Sequence, residues 1–198
     1  MSRDVAEPTA VMVRTERLLL RRVREDDADD FLTWRGRPDV VRYMYQPPWT
    51  AEVAREKLAS WVTHPFRATG DVLVLAVELD GVVVGEGLLK RAPGEGQVEI
   101  GYAFHPDVAG RGLATEASGA LLALAFGRFG FHRAFARIDA ENTASVRVAQ
   151  RLGMRLEARL VENDVRPADG VWSTELVYAV LASEHEARRR TPVVSDAP

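Results

Sequence analysis

From Val98 the chain runs Val98-Glu99-Ile100-Gly101-Tyr102-Ala103-Phe104-His105-Pro106-Asp107-Val108-Ala109-Gly110-Arg111-Gly112-Leu113-Ala114-Thr115-Glu116-Ala117. A β-rich run leads through a loop with glycines at alternate positions straight into a helical pattern. Gly110 and Gly112 let the backbone turn tightly with its N–H groups uncovered, and the start of a helix adds about half a unit of positive charge. Such a segment can cradle a pyrophosphate without any lysine. A plain turn before a helix reads the same way, because loops of this kind often carry glycine. No Gly-Lys-Ser/Thr follows, so the loop is not that of a P-loop nucleotide hydrolase. Ala114-Thr115 stand where a dinucleotide fingerprint would need a third glycine, and the loop lies mid-chain rather than in a first strand–helix unit.

Cysteine is absent, which removes disulfides, thiolate metal sites and cysteine nucleophiles. The four histidines, His64, His105, His132 and His185, lie far apart without ligand spacing, so no metal is expected. A net charge of −3 carries no footprint for nucleic acid. The longest apolar run, Leu121 to Phe126, is far below the roughly 20 residues of a membrane span, and the first residues lack an apolar signal core. A cytoplasmic protein without a membrane partner is the expectation. With 198 residues, 46% hydrophobic and 28% charged, the chain reads as one globular domain. We expect that domain over residues 11–183, between tails at 1–10 and 184–198.

The elements that must position the loop follow from local pattern. Arg17 to Val23 reads as a strand. Asp26 reads as the cap of a helix from Asp27 to Arg35, with Asp29 as a capping-box-like acid. Thr50 caps a helix over 52–62. Val72–Leu79 and Val82–Leu89 flank Asp80-Gly81, a strong hairpin signal, and Gln97–Phe104 is the next strand. Leu113, Ala117, Ala120, Leu121 and Leu124 form a helical stripe that Gly130 stops. A strand over 134–138, a helix capped by Asn142 and ended by Gly153, strands over 154–161 and 171–181, and a polar helical end at 184–190 complete a mixed α/β, or α+β, sheet protein.

Ala109-Gly110-Arg111-Gly112-Leu113-Ala114-Thr115-Glu116-Ala117 comes after Glu99-Ile100-Gly101-Tyr102 and before Asn142-Thr143-Ala144-Ser145 and Leu152-Gly153-Met154. In that order the segments resemble the GNAT superfamily of acyl-CoA-dependent N-acetyltransferases over roughly Thr15 to Leu181. They look most like the branch that acetylates the N-termini of ribosomal proteins, which Thr15-Glu16-Arg17-Leu18-Leu19-Leu20-Arg21 also fits. The resemblance implies a mostly antiparallel central sheet flanked by helices, with a splayed strand pair holding acyl-CoA. It implies acetyl-CoA as cosubstrate and a peptide or small-molecule amine as acceptor, and it admits a homodimer.

By the same resemblance, Gly110, Arg111, Gly112, Leu113, Ala114 and Thr115 hold the pyrophosphate. Tyr102, Ala103 and Phe104 pair their backbone with the pantetheine arm, and a backbone N–H there can polarise the thioester carbonyl. Asn142 bonds pantetheine or simply caps its helix. Ala109 replaces the family's Gln/Arg, and Ala149 stands where many members carry a proton-donating tyrosine. Ser145 takes that role in the ribosomal-protein branch; its other reading is support for the cap. Glu99 and Glu86, carboxylates in mid-strand, either serve as base for the amine or form sheet ion pairs. Tyr43, Tyr45 and Trp49 line the acceptor cleft or fill core. An N-acetyltransferase is the leading expectation, and a non-catalytic acyl-CoA-binding module is the alternative.

Overall fold

The computed structural model describes residues 11–190, so the expected tail at 1–10 and residues 191–198 lie outside the described residues. Eight strands form one sheet: β1 (Met12–Arg14), β2 (Leu18–Arg22), β3 (Val72–Leu79), β4 (Val82–Arg91), β5 (Gln97–Phe104), β6 (Arg133–Asp139), β7 (Arg155–Arg166) and β8 (Val171–Leu181). Their order is β1-β2-β3-β4-β5-β6-β8-β7, and every neighbouring pair is antiparallel except β5 with β6. The helices are α1 (Ala28–Arg35), α2 (Pro38–Val41), α3 (Ala51–Thr63), α4 (Leu113–Ala123, extended by a π-helical stretch Leu124–Arg128), α5 (Thr143–Arg151) and α6 (Ala182–Arg190).

Strand alternation divides the apolar side chains between two cores. Leu73, Leu75, Val77 and Leu79 of β3, with Val98 and Ile100 of β5, pack beneath Leu113, Ala117, Leu121 and Leu122 of α4. Val74, Ala76 and Ala103 point the other way, against Phe31 and Trp34 of α1 and Leu58 of α3. Helices thus cover both faces. On the α1/α3 side the cover thins over β6 and β8, where Arg137 is exposed and Glu175 and Val177 are half-buried.

The hairpin at Asp80-Gly81 forms as expected, with φ of 53° and 81°, the conformation such a tight turn requires. Thr50 caps α3 by accepting the Val53 N–H at 3.3 Å. The start of α1 differs from expectation. Asp26 is not the cap; the carboxylate of Asp27 accepts the Arg24 N–H at 2.7 Å and both guanidinium N–H groups of Arg21 at 2.7 and 2.8 Å. Arg21 also reaches Glu78 of β3 at 2.6 Å. The acidic run therefore serves a buried charge cluster that ties α1 to β2 and β3, which sequence spacing alone does not show. Strand β1 and helix α2 were not expected, since each is too short to display a period. The polar helical end expected at 184–190 forms as part of α6, whose His185 ring centroid lies 5.3 Å from that of Phe126.

Asp27 is 3% exposed, so its removal leaves the Arg21 charge buried with Glu78 alone. Asp27→Ala should lose about 3–5 kcal/mol in chemical denaturation, the usual cost of breaking a buried pair. A loss below about 1 kcal/mol would show that the cluster contributes little.

Candidate functional site

The one parallel contact sets the site. β5 pairs with β6 only at Gln97↔Arg133, Val98↔Ala134 and Glu99↔Phe135. Beyond Glu99, β5 stays with β4 as far as Gly85↔Phe104, while β6 stays with β8 as far as Asp139↔Glu175. The two strands therefore part like a V, and the edge of β5 over residues 100–104 faces β6 without a ladder. Gly85 helps β5 follow β4: a Cβ there would lie 2.6 Å from the Ala103 carbonyl oxygen and from the Phe104 ring.

The Gly110-Arg111-Gly112 loop stands at the open end of the V. Both glycines are left-handed, with φ of 75° and 77°, and Gly112 is the N-cap residue of α4. A Cβ at Gly110 would meet nothing within 4 Å, and one at Gly112 only an Arg17 guanidinium nitrogen at 3.7 Å. The loop is held from outside. Arg17 donates from Nη1 to the Arg111 carbonyl at 2.9 Å and from Nε to Glu116 at 2.7 Å, and Thr15 donates to Glu116 at 2.6 Å. Burial alone would raise the Glu116 carboxyl, but the bonds from Thr15 and Arg17 hold it below the ordinary carboxylate range. Arg17 and Glu116 thus hold the loop in place although spacing does not connect them, lying 99 residues apart. Of the residues expected to bind cofactor, Leu113, Ala114 and Thr115 form the first turn of α4, and the buried Thr115 hydroxyl has no hydrogen-bond partner among the described residues.

Across the V, Asn142 caps α5 by accepting the Ser145 N–H at 3.1 Å. Its capping role is therefore present in the fold. Tyr102 shares the α4 side of β5 with Ile100, whereas Ala103 faces α1 and pairs across β4 with Glu86. The Tyr102 hydroxyl is buried and makes no hydrogen bond of standard geometry among the described residues. Burial pushes its phenol above the ordinary range, and the Ser145 hydroxyl pulls it part of the way back.

The two candidate bases have different surroundings. Glu86 is 1% exposed and paired with Arg35 of α1, whose guanidinium also lies 4.8 Å from the Trp49 ring centroid. Burial raises the Glu86 carboxyl and Arg35 opposes it. The ion-pair alternative is the one realised at Glu86. Glu99, the last residue of β5 paired to β6, is half-buried at the vertex of the V. Burial raises its carboxyl, Lys90 and Arg137 pull it back, and Glu175 pushes it further up. Glu175 is bound by Arg137 at 2.7 Å, while its second oxygen is buried and unpartnered.

The aromatic residues also separate. Trp49 is buried, with its ring centroid 5.6 Å from that of Trp61, so it fills core. Tyr45 donates to Asp139 of β6 at 3.1 Å and touches Ser173 of β8, with its backbone at φ 54°. Tyr43 lies 5.4 Å from the guanidinium of Arg166, a residue 1% exposed that binds Glu141 at 2.7 Å and Asp169 at 2.9 Å. Tyr43 and Tyr45 thus bridge from the segment after α2 to the end of the β6–β8 pair. Among the described residues no group of His, Cys, Asp and Glu is placed to hold a metal, and no helix is long and apolar enough to cross a membrane.

Comparison with known proteins agrees with this geometry. The model of the acetyltransferase (GNAT) domain matches residues 17–155. A Bacillus subtilis (strain 168) protein described as an uncharacterized N-acetyltransferase, YnaD, is 27% identical over 172 residues, covering 87% of this chain and 98% of its own. The crystal structure of an acetyltransferase of the GNAT family from Bacillus anthracis superposes with a TM-score of 0.78 at 30% identity, over 88% of this chain and 100% of that one. A ribosomal L7/L12 alpha-N-protein acetyltransferase in complex with coenzyme A shares the fold, with a TM-score of 0.75 at 16% identity over 86% of this chain and 98% of its own. The splayed strands, the glycine loop on α4 and the matched family model converge: this chain belongs to the GNAT family and is an acetyltransferase.

Proposed function

We propose that the protein transfers an acetyl group from acetyl-CoA to a primary amine, a protein N-terminus or a small-molecule amine, by direct attack on the thioester. The observation that carries this reading is the three-residue pairing of β5 with β6. A slender acyl-bearing arm that enters beside Gly110 and Gly112 can run into the V against the unpaired edge of β5. Its reacting end then lies toward Glu99. The donors and acceptors along that edge are the kind that a buried backbone must satisfy, and the pantetheine arm offers amides to do so. Phosphates suit the N–H groups of the left-handed loop and the start of α4. Thr115, whose buried hydroxyl has no partner among the described residues, fits a ligand that brings polar atoms.

The amine arrives as an ammonium ion, to which Glu99 and Glu175 present negative charge on the thinly covered face of the sheet. Glu99 takes the proton. The free amine then forms the C–N bond as the C–S bond breaks and its electron pair leaves with sulfur. A β5 N–H stabilises the charge gathering on the carbonyl oxygen, and the second proton shed by nitrogen passes through solvent to the thiolate. Ser145 supplies the hydrogen bond to the leaving sulfur in place of the tyrosine absent at Ala149. Glu86 holds α1 through Arg35 and takes no proton from the acceptor.

A Val at Gly112 would add a β-branched side chain at φ 77°, in the cradle itself. Gly112→Val should weaken CoA binding at least about tenfold, about 1.4 kcal/mol, in calorimetry on folded protein. Unchanged affinity in a folded variant would remove the cradle assignment.

Glu99 must be ionised to act. Because burial raises its carboxyl, kcat/KM should climb with pH along a limb above the ordinary glutamate range and below that of the amine. Glu99→Gln should erase that limb and slow transfer about 10²-fold or more. The same limb in the Gln variant would exclude Glu99 as the base.

A further inference from the structure

We propose that Arg17 is a positioning residue for the cofactor's pyrophosphate: by holding the Arg111 carbonyl it turns the Gly112 N–H toward the phosphates. The inference rests on the reading of acetyl-CoA as cosubstrate and adds to it a residue from the start of β2, far from the loop in sequence.

Peptide geometry carries the argument. The described residues contain no cis peptide bond, and in a trans peptide the C=O and the N–H that follows it point in opposite directions. The Arg111 carbonyl accepts from Arg17 Nη1 at 2.9 Å. The Gly112 N–H shares that peptide plane and is therefore aimed away from Arg17. It finds no acceptor among the described residues, and neither do the N–H groups of Gly110 and Arg111. Gly110 and Gly112 both stand at positive φ, with no side chain to hinder rotation of the peptide planes between them. The Gly112 carbonyl is fixed by the Glu116 N–H at 3.1 Å, in the first turn of α4. The carbonyl before it is fixed by Arg17.

The shape of a guanidinium suits it to this task. Nε and Nη2 grip Glu116 at 2.7 and 2.6 Å, which sets the plane of the group and leaves Nη1 to reach Arg111. Glu116 also accepts the Thr15 hydroxyl at 2.6 Å and the Arg17 N–H at 2.9 Å, so both its oxygens are engaged. A lysine ammonium is a point charge and lacks the planar fork that serves both partners at once. The clasp answers a charge problem as well. Glu116 lies in the first turn of α4, where its carboxylate would repel a phosphate, and Arg17 neutralises it. No bond or proton changes hands at Arg17, so its contribution is to binding.

The test compares wild type, Arg17→Lys, Arg17→Met, and Arg17→Met combined with Glu116→Gln. Calorimetry measures CoA binding, and ligand-observed NMR measures binding of pantetheine, which lacks the pyrophosphate. Arg17→Met should weaken CoA binding about tenfold, the scale of one hydrogen bond to a charged group, and leave pantetheine affinity unchanged. Arg17→Lys keeps the charge beside Glu116 and the fold, yet should lose about threefold or more toward CoA. The added Glu116→Gln should not restore what Arg17→Met loses. In wild type the Gly112 amide proton should move downfield as CoA is added, as a charge-assisted hydrogen bond to phosphate requires, and this movement should shrink in both single variants. Melting temperatures should stay close to wild type, because the ion pair is partly exposed. Wild-type CoA affinity in Arg17→Lys, equal losses for CoA and pantetheine, recovery with Glu116→Gln, or a Gly112 amide that CoA leaves unmoved in wild type would each overturn the proposal. If wild type binds CoA yet acetylates no amine, the transfer reading fails by itself, and the binding comparison still decides Arg17. If wild type binds no CoA, the cosubstrate reading fails and the role of Arg17 fails with it.

Discussion

A parallel strand pair that closes for three residues and then opens is the constraint on which the molecule turns. Backbone N–H and C=O groups taken from water without partners are costly, so a sheet does not part in its middle without compensation. Here the compensation is distributed. β4 keeps β5 along its whole length, β8 keeps β6, and glycine at position 85 allows the first of these strands to lean away. The helices α4 and α5 roof the separation on one side. What remains is an edge of β5 without a partner strand beyond Glu99. The glycine loop stands at the wide end, and a carboxylate with a raised proton affinity stands at the narrow end.

Charge is arranged to keep this opening in shape. Arg21 with Asp27 and Glu78, Arg35 with Glu86, and Arg166 with Asp139, Glu141 and Asp169 each bury an arginine against carboxylates. Such pairs add little net stability over well-packed apolar groups, but each is expensive to break, so they fix which surfaces meet. The first two lock α1 onto β2, β3 and β4. The third, with Tyr43 and Tyr45, fastens the segment after α2 to the far arm of the V. Glu99 stands apart from them, since no arginine neutralises it at contact distance among the hydrogen bonds and ion pairs of the described residues.

Features written in adjacent residues were legible in the sequence. Asp80-Gly81 specifies its turn, Thr50 and Asn142 specify their caps, and Gly110 with Gly112 announces a loop into a helix. The fold class followed from the order of those elements and from the resemblance to the family. Features made by distant residues were hidden. Nothing near Arg17 says that it will clasp Arg111 and Glu116, and nothing near Glu86 names Arg35 as its partner. Asp26 and Asp27 are equivalent as letters; only the position of Arg21 on β2 selects the second. Trp49 shows a related limit, because an aromatic residue beside prolines reads alike as pocket wall and as core, and the difference lies in Trp61 and Arg35.

The clasp from Arg17 to the glycine loop makes the loop's shape a joint property of the amino-terminal strands and the middle of the chain. A polypeptide that began after Arg17 could still contain every residue of the loop and α4, yet the Arg111 carbonyl and the Glu116 carboxylate would lose their anchor. Linkage is reciprocal, so a ligand that stabilises the clasped loop must tighten the docking of the first two strands by the same free energy. Cofactor occupancy would then be registered at the amino-terminal edge of the sheet, as slower fraying and slower proteolysis of its first two strands.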